Sequence, residues 1–157
     1  MTDTLVREGF SESLFKLGQF FGLFRSRLYP LELALIRRVL GLLPTQLRST
    51  IEKQFESYNH FERDGWWRQL SMRRKVGGRI SFPEDLKIAA AHPDTRLASV
   101  KFRVPGGGDD HHVVLHVVRG HLFTAEFGSP YYPIRFAADI DIVSHRINAT
   151  DFSANAL

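Results

Sequence analysis

"ASVKFRVPGGGDDHHVVLHVVRGHLFTAEF", residues 98–127, is the stretch whose reading decides the fold. Three short runs rich in Val, Leu and Phe, at about 98–104, 111–118 and 121–127, are separated by "PGGGDD" and by Arg119-Gly120. Such runs bounded by Gly, Pro and Asp read as strands. Their links are too short for a crossover, so neighbours must run antiparallel. With Arg119-Gly120 as a two-residue turn, the pairing sets Val118 against His121 and His116 against Phe123. Both faces of this hairpin carry large apolar side chains. Cover is therefore expected on both, from helices on one side and from a partner subunit on the other.

Working towards the N-terminus, "WWRQLSMRRKV" and "RISF" flank Gly77-Gly78, a pair suited to a tight hairpin turn. "PEDLKIAAAH" reads as a short helix, with Pro at its first position and acids in its first turn. The first sixty or so residues are helical in period. Phe10, Leu14, Leu17, Phe21, Phe24 and Leu28 form one stripe, and a second helix runs from Pro30 to Leu43, before Pro44. In a third, Leu47, Ile51, Phe55 and Tyr58 share a face. Towards the C-terminus a last strand covers about 139–147, and 150–157 reads as a frayed tail. Together these give an α+β fold, N-terminal helices packed on a mainly antiparallel meander. The organisation is one domain over 1–157: helices over 1–62, a sheet with one short helix over 63–149, and the tail.

Composition narrows the chemistry. The chain has 157 residues, thirteen of them Phe and none Cys, with a formal net charge of +4. Lack of cysteine excludes disulfides, thiolate zinc sites and cysteine nucleophiles. "MTDTLVREGF" lacks the basic head and apolar run of a signal peptide. The most apolar stretch, "LYPLELALIRRVLGLLP", is broken by Glu32, Arg37 and Arg38, where a membrane span needs about 20 residues with few or no charges. A cytoplasmic protein with no transmembrane segment is expected.

"FGSPYYPIRFAADIDI", residues 127–142, resembles the signature of the nucleotidyltransferase superfamily: an apolar residue, Gly-Ser, a gap, then Asp, an apolar residue and Asp. The resemblance implies that Gly128 and Ser129 hold nucleotide phosphates and that Asp139 and Asp141 bind magnesium. Two carboxylates two apart on a strand point the same way and can share oxygen-loving ions. Read from the residues alone, the same aspartates are the polar side of a half-buried strand whose Ile140 and Ile142 face the core.

Other chemistry-bearing groups are the histidines and a basic strand. His112 and His116, four apart, lie about 13 Å apart along a strand, too far to share zinc. His116 and His121 are diagonal neighbours that lack a third ligand unless Glu126 or His145 supplies it. No serine sits in a Gly-x-Ser-x-Gly elbow. Trp67, Gln69, Ser71, Arg73 and Lys75 line one face of a strand, where Trp67, Arg73 and Lys75 offer single-stranded nucleic acid a stacking and neutralising surface. A wide apolar stripe with Lys16, Arg25 and Arg27 offers the first helix to a membrane surface.

With no catalytic set complete, the first expectation is a non-enzymatic interaction domain that contacts a protein partner or itself, as a homodimer, and needs no cofactor. Phe20, Phe21 and Phe24, with Tyr131 and Tyr132 in the Pro-bounded loop, are its candidate contacts. The alternative is the magnesium-dependent nucleotidyl-transfer enzyme.

Overall fold

A computed structural model describes residues 27–153 of the chain. Phe20, Phe21, Phe24, Lys16 and Arg25 lie outside the described residues, as does the apolar stripe up to its last member, the buried Leu28. Two helices come first, α1 (Pro30–Gly41) and α2 (Thr45–Glu56). The strands are β1 (His60–Arg63), β2 (Gln69–Val76), β3 (Arg79–Ser81), β4 (Ala89–Ala90), β5 (Asp94–Arg103), β6 (Asp110–Val118), β7 (His121–Phe127), β8 (Asp141–Ile147) and β9 (Phe152–Ser153). The fold is α+β, with helices ahead of a mainly antiparallel sheet.

Pro30 occupies the first turn of α1, where its missing N–H costs nothing. Leu31, Leu35, Ile36, Val39 and Leu40 form its buried stripe, and Ile51, Gln54 and Phe55 that of α2. Both stripes join one core with Leu70, Met72, Ala98, Val100, Phe102, Val113, Leu115, Val117, Leu122 and Ala125 from the sheet. Burying each large apolar side chain contributes about 1.5–3 kcal/mol. This helix-on-sheet layer is what holds the strands in register.

The seven-stranded sheet runs β1-β2-β7-β6-β5-β8, with β3 folded back on β2. The meander is β5-β6-β7, and β2 and β8 close on its two sides by longer connections. Gly77 and Gly78, with φ of 56° and 78°, make the β2–β3 turn as their residue type predicts. Arg119 and Gly120 make the β6–β7 turn, with φ of 50° and 84°.

Several sequence expectations need correction. A bulge at Phe123 moves the β6–β7 register, so His116 faces Thr124 rather than Phe123. Residues 60–63 are a strand, not the end of the helical segment, because β1 fills the free side of β2. The expected helix after Pro83 is a single 3-10 turn, Glu84–Leu86, followed by β4. There Ile88 N–H donates to the Gly120 carbonyl and Ala91 N–H to that of Asp151, so the backbone bonds outward instead of along a helix. The tail is tied down as far as 153: β9 pairs with β4, and Phe152 is buried.

The largest correction concerns the second face of the sheet. Ser99, Lys101, His112, His116, Thr124 and Glu126 point there, alternating with the core residues. Val114 is the chief apolar member of this face on β6, and it is already buried. Among the described residues, the expected second greasy face of the hairpin is therefore a mainly polar one.

Candidate functional site

The exposed large aromatics lie instead on two loops that adjoin the start of α1, while Val76, Ile80 and Val143 are exposed singly on β2, β3 and β8. The first loop, 64–68, links β1 to β2. Asp64 shapes it, its carboxylate accepting from the Arg68 and Gln69 N–H groups at 2.8 and 3.0 Å. Trp67 takes a left-handed backbone, φ 55°, which is costly for a bulky residue. Its ring turns inward onto Tyr29, Tyr131 and Tyr132, with centroids 5.5, 5.6 and 4.8 Å away. Trp66, the neighbour, is left 79% exposed.

The second loop runs from Gly128 to Ile140. Tyr132 and Phe136 stand out from it, 48% and 64% exposed. The Arg135 guanidinium lies over both rings, at 3.6 and 4.2 Å, and Phe136 also meets Tyr29 edge-on at 5.6 Å. The result is a continuous aromatic surface threaded by a cation. Among the described residues neither Arg68 nor Arg135 has an ion pair.

A buried carboxylate fixes this surface to the core. Glu32, in the first turn of α1, has a fully buried side chain and is bridged by the fork of Arg63 from β1. It also accepts from the Tyr131 hydroxyl at 2.6 Å and the Tyr29 N–H at 2.7 Å. Burial and the adjacent Glu32 carboxylate push the Tyr131 phenol well above its usual pKa. Tyr131 is thus a core residue at 1% exposure, not the contact residue the sequence suggested, whereas Tyr132 is on the surface. Trp66, Phe136 and Arg135 were missed. The "DG" at 64–65 was the available signal, since it marks a turn that takes both tryptophans out of the strand.

The other sequence candidates are not assembled. Asp139 precedes β8, pairs with Arg38 at 3.1 Å and caps the Ile140 N–H at 2.8 Å, so Arg38 draws its pKa down. Asp141 opens β8 opposite Arg103. Gly128 follows β7, where its N–H donates to the His112 carbonyl. With β6 and β5 between β7 and β8, Gly128-Ser129 and Asp141 stand three strand spacings apart, about 14 Å. Ile140 is buried, as the half-buried reading expects. Among the described residues, no three His, Asp or Glu side chains converge as metal ligands.

Trp67 lies outside β2, so the expected stacking face is broken. Arg73 is held by Glu62 at 2.7 Å and lies over Phe123; Lys75 is exposed and has no ion pair among the described residues. His121 is buried against Phe82, rings stacked at 5.2 Å, and desolvation lowers its pKa. His116 sits between Asp94 at 3.3 Å and Glu126 at 3.2 Å. No described helix is long and apolar enough to cross a membrane.

Comparison with family models, curated proteins and solved structures returned no match to this chain.

Proposed function

We propose that this chain is a non-enzymatic binding domain that pairs with a second copy of itself through the Trp66–Tyr132–Phe136 surface. The observation that carries the reading is the exposure of Tyr132 and Phe136 against Arg135, with Trp66 exposed on the loop whose Trp67 packs on Tyr132. Aromatic residues and arginine are the types that dominate contact energies. In a two-fold contact the patch must complement itself. A surface holding both a guanidinium and open π faces does so, because Arg135 of one copy can lie over an indole of the other. Tyr131, Glu32 and Arg63 hold the loops rigid beneath, which lowers the ordering cost of association.

Tryptophan emission tests the contact. Raising the protein concentration should shift Trp66 emission to the blue and protect it from acrylamide, and the change should vanish in Trp66→Phe. Emission independent of concentration into the hundred-micromolar range would contradict self-pairing.

A further inference from the structure

The polar face of the sheet carries a groove apart from the aromatic surface. Asp94, Arg96, Ser99, His116, Arg146 and Asn148 line an open groove of about 490 Å³, a volume within the usual range for small-molecule sites. It lies towards the Arg119-Gly120 end of the sheet, whereas the aromatic surface adjoins the opposite end of β2 and β7.

We propose that this groove binds a phosphorylated polyol, with its phosphate held by Arg96 and Arg146. Arg146 on β8 pairs with Ser99 on β5, and Arg96 lies on the same face beyond the bulge at Leu97. The two guanidiniums are thus diagonal neighbours, close enough for long side chains to meet on one anion. Neither has an ion pair among the described residues, and both are exposed. By contrast, nearby Lys101 and Arg103 are both engaged by Asp110, at 3.6 and 2.6 Å. The Ser99 hydroxyl, 2.8 Å from His112 Nε2, adds a short polar arm. Arginine forks match phosphate oxygens in pairs.

The rest of the groove suits hydroxyl groups rather than charge. Asp94 lies at the far end from Arg146, opposite Val118, and His116 engages its carboxylate. That carboxylate accepts hydrogen bonds from alcohols and would repel a second anion. Asn148 is anchored by donating to the Arg96 carbonyl at 3.0 Å, which leaves its amide oxygen to accept.

Calorimetric titration of the purified chain, at fixed ionic strength set with sodium chloride, tests this. Inorganic phosphate and glycerol 3-phosphate should each give saturable heat at one site, with glycerol 3-phosphate the tighter. Arg96→Ala or Arg146→Ala should weaken both by about tenfold or more. Arg146→Lys, which keeps the charge without the fork, should also bind more weakly. Asp94→Asn should erase the preference for glycerol 3-phosphate. These positions are at the surface, and an unchanged melting temperature confirms folding of each variant. Absence of saturable heat, or binding that survives in the Arg96→Ala/Arg146→Ala chain, would overturn the phosphate site. Equal affinity for the two probes would overturn the polyol assignment.

Discussion

Glu32 joins three elements through one carboxylate, and its removal strands the Arg63 guanidinium in a site where that side chain is only 14% exposed. Breaking a buried pair from one side costs about 3–5 kcal/mol; Glu32→Ala should lose stability on that scale in denaturant unfolding. In the sequence Glu32 looked like a mere interruption of an apolar run, because its partners lie 31 and 99 residues away. Gly120 is the second sensitive residue. A Cβ there would sit 2.4 Å from the Ile88 carbonyl oxygen, on a backbone at φ +84°. Gly120→Ala should cost about 2–4 kcal/mol. Gly78→Ala, with the same sign of φ but open space around it, should cost only about 1 kcal/mol. His121 supplies a pH dependence. Desolvation lowers its folded pKa, so the unfolded chain binds more protons between the two pKa values, and stability must fall as pH drops below about 6.5. Melting temperature should decline more steeply from pH 7 to pH 5 in the native chain than in His121→Phe. His60, also lowered, is common to both chains. Parallel pH curves would contradict the assignment.

At the scale of elements, α2 clamps the β6–β7 turn. The Gln54 amide donates to the Leu86 and Gly120 carbonyls at 2.6 and 2.9 Å, and its oxygen accepts from Leu122 N–H at 2.8 Å. Tyr58 donates to the Leu122 carbonyl at 2.6 Å. Gln54→Leu keeps the bulk but takes the side-chain partner from the Leu86 carbonyl and the Leu122 N–H, while Ile88 N–H still bonds the Gly120 carbonyl, a loss of about 2 kcal/mol or more. It should show as faster amide exchange at Leu122 as well as a lower unfolding midpoint; unchanged exchange would refute the clamp. The periodicity made the elements of the meander and of α1 and α2 legible, because a single apolar stripe or alternation defines each. What it could not show was which short segments pair. β1, β4 and β9 span four residues or fewer, and only long-range partners make them strands. The alternation in "HHVVLHVV" also misled: Val114 suggested a second greasy face, but its neighbours there are His112, His116 and Glu126.

For the whole molecule, a charged groove lies on the polar face of the sheet and an aromatic surface at its other end, and the proposed roles of the two are separable. The salt response separates self-pairing from binding to nucleic acid. Copies that meet through rings bring cationic Arg68 of each copy towards the other, and no acidic partner is part of the contact, so screening should leave association unchanged or strengthen it. Binding to nucleic acid would instead weaken steeply with salt. The candidate surface was legible only to a limited extent. Tyr132 stood out in its loop, but the loops that carry Trp66 and Phe136 are brought side by side through Trp67 and Phe136 both packing on Tyr29, which no local pattern contains. Self-pairing is tested most directly by mass in solution. Sedimentation equilibrium should give a mass rising with concentration from 18.0 kDa towards twice that value, with Trp66→Ser and Phe136→Ser returning it to the monomer and Val143→Ser, an exposed apolar position on β8, leaving it dimeric. A native chain that stays monomeric throughout, or a dimer indifferent to Trp66 and Phe136, would contradict the account.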